Sequence, residues 1–242
     1  MSVKKTGKAE DGSTKRAPPR RATARRSVVP AEVSSRPDRR QNILHSAEWL
    51  FSSRGYHAVS LRDIATHANV PLALVGYYFG KKDELFKTIF EHRKSYIELR
   101  IAAIAAVRCS PRNKAAVRAI IAAWAQPVID LRASEYGEPF SVLVARAIWE
   151  PSEEAANVVK AFYDPLANVF IKTMRCALPE CSRDQIVWGY EYALGSLLML
   201  IADHRVERLS THGAKSGDPS QGEPLIDFLT AGFLSMARRA AR

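Results

Sequence analysis

Residues 60–80 read Ser60-Leu61-Arg62-Asp63-Ile64-Ala65-Thr66-His67-Ala68-Asn69-Val70-Pro71-Leu72-Ala73-Leu74-Val75-Gly76-Tyr77-Tyr78-Phe79-Gly80. Ser60 followed three positions later by Asp63 forms a capping-box variant. The hydroxyl serves the backbone N–H of residue 63, and the carboxylate reaches back to that of residue 60. A short helix through Ile64, Ala65 and Ala68 follows. Asn69 tolerates the left-handed conformation that closes a helix, and Pro71 suits a first helical turn but no interior position. The next helix, about Leu72 to Tyr78, must be short because Gly80 ends it. The stretch therefore predicts a helix, a tight turn and a second helix.

Toward the N-terminus, Ile43, Ala47, Leu50 and Phe51 recur at the spacing that lines one helical face, with Pro37-Asp38 as a start and Gly55 as a stop. Toward the C-terminus, Asp83, Glu84, Leu85, Phe86, Ile89 and Phe90 open a longer helix running from Lys82 to about Val107. Further helices are predicted at about 112–133, 138–149, 153–177, 183–208 and 223–240, broken at Pro111, Gly137, Pro151 and Pro179, with Ser210 to Pro224 as a loop. No strand pattern competes and no internal repeat is found. The fold class is all-α, with about nine helices. The predicted organisation is a basic tail over 1–38, a three-helix helix-turn-helix domain over 39–86 and a helical domain over 87–242.

Three short helices followed by a long one is the layout of a helix-turn-helix DNA reader. The residues carry the reading further. Ala47-Glu48-Trp49-Leu50-Phe51, Arg54-Gly55-Tyr56, Ser60 to Ala65, Val70, and Tyr77 through Phe86 together resemble the N-terminal domain of the tetracycline repressor (TetR) family. The rest of the chain is similar only in length and helix number to the family's variable ligand-binding and dimerisation domain. The resemblance implies a double-stranded DNA operator, a small-molecule effector and a homodimer as partners.

It also implies roles for single residues. Arg62 reaches either a base edge, where Arg can bond guanine in bidentate fashion, or a phosphate. Ser60 at a helix N-terminus is placed to meet a phosphate. Tyr78 and Lys82, with Lys81 added, contact the DNA backbone and position the domain. The outward positions of the recognition helix are Leu72, Ala73, Leu74, Gly76 and Tyr77, which offer little polar readout. Ala73 and Leu74 suit thymine methyls, and Gly76 permits close backbone approach at a helix cost of roughly 1 kcal/mol relative to Ala. Specificity then leans on Arg62, Tyr77 and DNA shape. The competing placement puts Leu72 and Leu74 against a protein core, as Val75 and Phe79 are on spacing.

Charge adds less than it first suggests. The 242 residues carry a net +11, but residues 1–40 alone hold 12 Lys or Arg against 4 Asp or Glu, a net +8, leaving +3 for the other 202. That segment has no Leu, Ile, Phe, Tyr or Trp and four prolines, so it buries too little to offset ordering entropy. It reads as a solvated extension or as a basic arm attracted to phosphates. Hydrophobic residues at 47 % predict a substantial core. The longest apolar stretch, Ala193 to Ala202, is shorter than the roughly 20 residues of a membrane span, and the N-terminus lacks the apolar run of a signal peptide. The expectation is a soluble, cytoplasmic protein with no membrane partner. Cys109, Cys176 and Cys181, an odd number without a C-x-x-C pair, are expected to be reduced. No metal-ligand spacing, nucleophile elbow or phosphate loop is found, so no metal, cofactor or catalytic residue is expected.

In the C-terminal region the candidate ligand contacts are Trp124, Phe140, Trp149, Phe162, Tyr163, Trp188 and Tyr192, with Arg146 as a cation on an apolar helix that needs a ligand carboxylate or an internal acid such as Asp164. The candidate dimer surface is the stripe Leu225, Phe228, Leu229, Gly232, Phe233 and Met236 on the last helix with Gly189, Ala193 and Ser196 on the preceding one; an intramolecular core is the competing placement. The function expected is a ligand-responsive repressor released from a palindromic operator by an apolar or aromatic effector. A helical sensor with a degenerate reader is the alternative, and an enzyme ranks below both.

Overall fold

The computed structural model describes residues 38–150 and 152–241; the basic segment 1–37 lies outside the described residues. Twelve α-helices follow one another, with no strand among the described residues: α1 (Arg39–Arg54), α2 (Leu61–His67), α3 (Leu72–Phe79), α4 (Lys82–His92), α5 (Lys94–Ala105), α6 (Lys114–Ala133), α7 (Glu138–Trp149), α8 (Glu153–Val158), α9 (Asp164–Ala177), α10 (Arg183–Ala202), α11 (Arg205–Leu209) and α12 (Gly222–Ala240).

Local chemistry sets the first four. Asp38 caps α1 by accepting from the N–H of Arg40 (3.0 Å), and Gly55 ends it at φ 83°. The capping box of Ser60 and Asp63 opens α2 with both reciprocal bonds made. Asn69 sits at φ 53°, and the N–H groups of Val70 and Asn69 reach back to the carbonyls of Ala65 (3.0 Å) and Thr66 (3.2 Å). This is a Schellman closure, which satisfies the last carbonyls of α2 before Pro71 starts α3. Gly80, at φ 68°, stops α3 where a side chain would be strained. Ile43, Leu44, Ala47, Leu50 and Phe51 of α1, Ile64 and Ala65 of α2, Val75 and Phe79 of α3, and Leu85, Phe86, Ile89 and Phe90 of α4 bury one common core.

Three of the nine predicted helices are divided. The long helix from Lys82 breaks at Arg93, whose guanidinium donates to the buried Glu48 carboxylate (3.3 Å) and the Tyr136 carbonyl (3.4 Å). Contacts with α1 and with the segment before α7 therefore override helical continuity. Between α8 and α9 the backbone widens into a π turn, Val159–Tyr163, just before Pro165, which has no N–H to continue an ordinary helical ladder. The third division falls at Asp203, which ends α10 and whose carboxylate accepts from the backbone N–H and the guanidinium of Arg205, the first residue of α11.

The C-terminal helices pack around Trp124, Phe170, Tyr190 and Phe233, whose rings meet at 5.3–5.8 Å. α10 is apolar and long enough to raise the question of a membrane span, but Ile186, Tyr190, Ala193, Leu197, Leu198 and Ile201 are buried within this core. The cysteines differ from expectation. Cys109, between α5 and α6, is disulfide-bonded to Cys176 at the end of α9, and Cys181 stays a buried thiol raised by desolvation. The pairing joins residues 67 apart in sequence, which no local spacing announces. Reduction, or Cys176→Ser, is expected to lower stability by about 2–4 kcal/mol through the released loop entropy, read as the shift in urea midpoint.

Candidate nucleic-acid interface and ligand cavity

On the outer side of α2 and α3, Ser60, Leu61, Arg62, Leu72 and Gly76 line one open groove. Arg62, Leu72, Ala73, Gly76, Tyr77 and Tyr78 are all exposed there, Tyr77 at 81 %, while Val75 and Phe79 turn inward. Tyr77 and Tyr78 meet edge to face at 5.3 Å, which orders both rings on the surface. Leu72 thus takes the outward placement. Leu74 is half-buried and packs against the reader's own core, so the thymine-methyl contact expected of it has little surface left.

Two of the proposed phosphate contacts, Ser60 and Lys82, stand beside acidic side chains of the protein itself. The Ser60 hydroxyl (2.5 Å) and N–H (2.8 Å) both donate to the Asp63 carboxylate, and this bonding holds its pKa below the ordinary value. The anion at the start of α2 is therefore the protein's own. Lys82 is half-buried with its ammonium 4.2 Å from the centre of the Tyr56 ring; burial lowers its pKa and the Glu154 carboxylate opposes that. Lys81 is the exposed cation at this corner. Arg40, which the sequence reading passed over, stands 5.2 Å from the Phe79 ring and adds a positive charge beside the end of α3.

A cavity of about 240 Å³ lies among α5, α6, α7, α9 and α10. Of the predicted ligand contacts, Trp124, Phe140 and Tyr163 line it. The others do not. Phe162 packs toward Phe90 at 6.2 Å; Trp149 is half exposed; Trp188 and Tyr192 stack on each other at 6.1 Å on the outer surface of α10. The lining also includes Tyr190 and three polar groups that the sequence pattern did not single out, Tyr96, Arg100 and Ser141. Burial pushes Tyr190 up to about 12, and the positive charge of Arg100 acts in the opposite direction. The periodicity Ile97, Arg100, Ile101, Ile104 was the available signal, since it puts Arg100 on the buried face of α5.

Arg146 lies outside the cavity and binds the reader. Its Nε donates to the Ser52 carbonyl (2.7 Å), its Nη2 to the Ser53 carbonyl (3.3 Å), and its Nη1 to Glu150 (2.6 Å). It thereby satisfies carbonyls of the last turn of α1, which have no helical partner. The same helix turns Phe140, Ser141, Val144 and Ile148 to the cavity. A run of rings, Phe51 to Phe86 (5.3 Å), Phe86 to Phe90 (5.3 Å) and Phe90 to Phe140 (5.6 Å), joins the reader's core to the cavity wall. Tyr56, raised to about 12 by burial and then by Glu154, completes a second contact between α8 and the start of α4.

The predicted dimer residues divide into two sets. Gly189, Ala193, Leu229 and Phe233 are buried within the protomer, and a Cβ on Gly189 would stand 2.5 Å from the Phe233 ring. They pack α10 on α12, as the intramolecular placement required. Phe228 and Gly232 remain exposed, and Ser196, Leu225 and Met236 are half-buried. With Trp188, Tyr192 and Met199 they leave an apolar face on α10 and α12.

A helix-turn-helix reader whose second helix projects outward, beside a mostly apolar cavity in a helical domain, is the layout of a DNA-binding regulator. Residues 43–89 match the model of the bacterial regulatory proteins of the tetR family, and residues 122–232 match the tetracyclin repressor-like C-terminal domain. The chain belongs to the TetR family of transcriptional regulators. It is similar to the HTH-type transcriptional regulator BetI of Rhizobium meliloti, 26 % identical over 161 residues that span 65 % of this chain and 75 % of that protein. It also resembles the HTH-type transcriptional repressor Rv3405c of Mycobacterium tuberculosis, 44 % identical over 50 residues, which cover 21 % of this chain and 27 % of that one. The fatty acid degradation regulator FadR of Bacillus halodurans shares the fold, with a TM-score of 0.57, 14 % identity and coverage of 81 % of this chain and 96 % of that one.

Proposed function

We propose that this protein is a homodimeric repressor, acting in the cytoplasm, that leaves a palindromic operator when a small apolar ligand fills the cavity. The observation that carries the reading is the double role of α7, which lines the cavity on one face and holds the end of α1 through Arg146 on another. A ligand that prefers one setting of α7 shifts the population of reader orientations. It does so only by its difference in affinity for the two settings. Two readers must enter successive major grooves about 34–36 Å apart, so a small change of tilt in each alters the fit to both half-sites. The proposed domains are 39–86 for DNA and 87–242 for ligand and dimer, with 1–38 as an added basic arm.

Gel shifts with the DNA upstream of the protein's own gene test this. Specific binding with a steep salt dependence is the expected result. Arg62→Ala is expected to weaken operator binding roughly 5- to 100-fold and to relax the sequence preference, as loss of a bidentate base contact does. Equal affinity for every sequence would overturn the specific-regulator reading. Ligand binding and dimerisation without any bound operator would favour a sensor with a degenerate reader, for which the inward turn of Leu74 is the supporting observation.

A further inference from the structure

Arg100 is 5 % exposed and lines the cavity. Its Nη2 donates to the Trp124 carbonyl at 2.8 Å, while its Nε has no hydrogen-bond partner and no carboxylate pairs with it among the described residues. The Tyr96 hydroxyl beside it is likewise buried without a partner, and the guanidinium stands 5.5 Å from the Tyr96 ring. A buried cation without a counter-charge is costly in an otherwise apolar enclosure, because it gives up its hydration for one carbonyl and a ring face. The two acids of the lining, Asp164 and Glu191, are exposed at the edge and do not reach it. An anionic group entering with a ligand would supply the counter-charge.

We infer that the effector is a hydrophobic monocarboxylate of modest size, its carboxylate held by Arg100 and the Tyr96 hydroxyl and its apolar body lying along Trp124, Phe140 and Leu198. The guanidinium offers planar paired donors that match a carboxylate, and Tyr96 offers one O–H more. The cavity of about 240 Å³ matches the body of a medium aliphatic or aryl chain. The assignment rests on the cavity being the effector site proposed above.

The test uses the full-length protein and three probes with one tail and different heads: octanoate, octan-1-ol and octylammonium. Affinities are read directly, by calorimetry and by the change in intrinsic tryptophan fluorescence, without DNA. Octanoate is expected to bind roughly 10- to 100-fold more tightly than octan-1-ol, with octylammonium weakest. Arg100→Met keeps the bulk of the side chain and is expected to erase that preference. Should this variant not fold, Tyr96→Phe removes a single oxygen and must reduce the octanoate to octan-1-ol ratio. Equal affinities, a preference for the amine, binding by none of the three, or an unchanged ratio in the variants would overturn the carboxylate assignment. Each of those results leaves the DNA-binding reading standing. Conversely, octanoate held through Arg100 without any effect on operator binding would keep this site and remove the regulatory reading.

Discussion

Phe228→Asp is expected to convert the protein to folded monomers and to lower its operator affinity roughly 10²–10⁴-fold, the factor lost when two linked binding modules act singly. Phe228 is 69 % exposed on α12, beside Tyr192 and Ser196 of α10 across a shallow groove. Trp188 and Tyr192 extend the same apolar face. An exposed apolar face with this ring content is the kind of surface on which two copies of a chain associate. Two copies meeting across it would form a four-helix arrangement of α10 and α12. The protomer should survive the substitution because Leu229 and Phe233, which bind α12 to its own chain, point the other way and stay untouched. Phe233→Asp is the contrasting variant, expected to unfold the C-terminal core rather than to divide the dimer. Sedimentation with far-UV circular dichroism separates the two effects. A Phe228→Asp protein that remains dimeric with unchanged operator affinity would place the interface elsewhere.

The reader was legible because its instructions are local. Ser60 with Asp63, Asn69, Pro71 and Gly80 each act within a few residues, and their backbone states follow from side-chain chemistry alone. The three divided helices were not legible for the opposite reason. Arg93 leaves the helical path for Glu48, 45 residues away, and nothing around residue 93 in the chain records that partner. The disulfide has the same character across 67 residues. Among the aromatic residues, composition could not separate Trp124 from Trp188, because α10 is apolar on several faces and its periodicity names no single buried side. Tyr190 faces the cavity while Trp188 and Tyr192, two positions away in either direction, face outward. Arg146 and Arg100 invert the expectation. The cation singled out for standing in an apolar run grips the reader, and the unremarked one on α5 faces the cavity.

Arg146→Ala is expected to leave both operator binding and ligand binding in place while the ligand loses its power to release DNA. Arg146 donates three hydrogen bonds, to the Ser52 and Ser53 carbonyls and to the Glu150 carboxylate. Two of them end on carbonyls of α1, so in the proposed mechanism a shift of α7 would pull on the first helix of the reader. Leu143 and Ala147 of the same helix are buried in the reader's core and preserve the docking of α1 when the guanidinium is removed. Because Arg146 is 40 % exposed and its ion pair is partly solvated, the stability lost is about 1 kcal/mol. The coupling is more sensitive. Effectors in such systems typically change affinity 5- to 150-fold, and in Arg146→Ala the ratio of operator affinities without and with octanoate is expected to fall toward one. Arg146→Lys keeps the charge but reaches only one carbonyl at a time, and should fall between. Operator titrations at fixed octanoate, with octanoate affinity measured separately on each variant, read the coupling apart from binding. Full release by the alanine variant would move the link from α7 to the contact of Glu154 with Tyr56 and Lys82 at the start of α4.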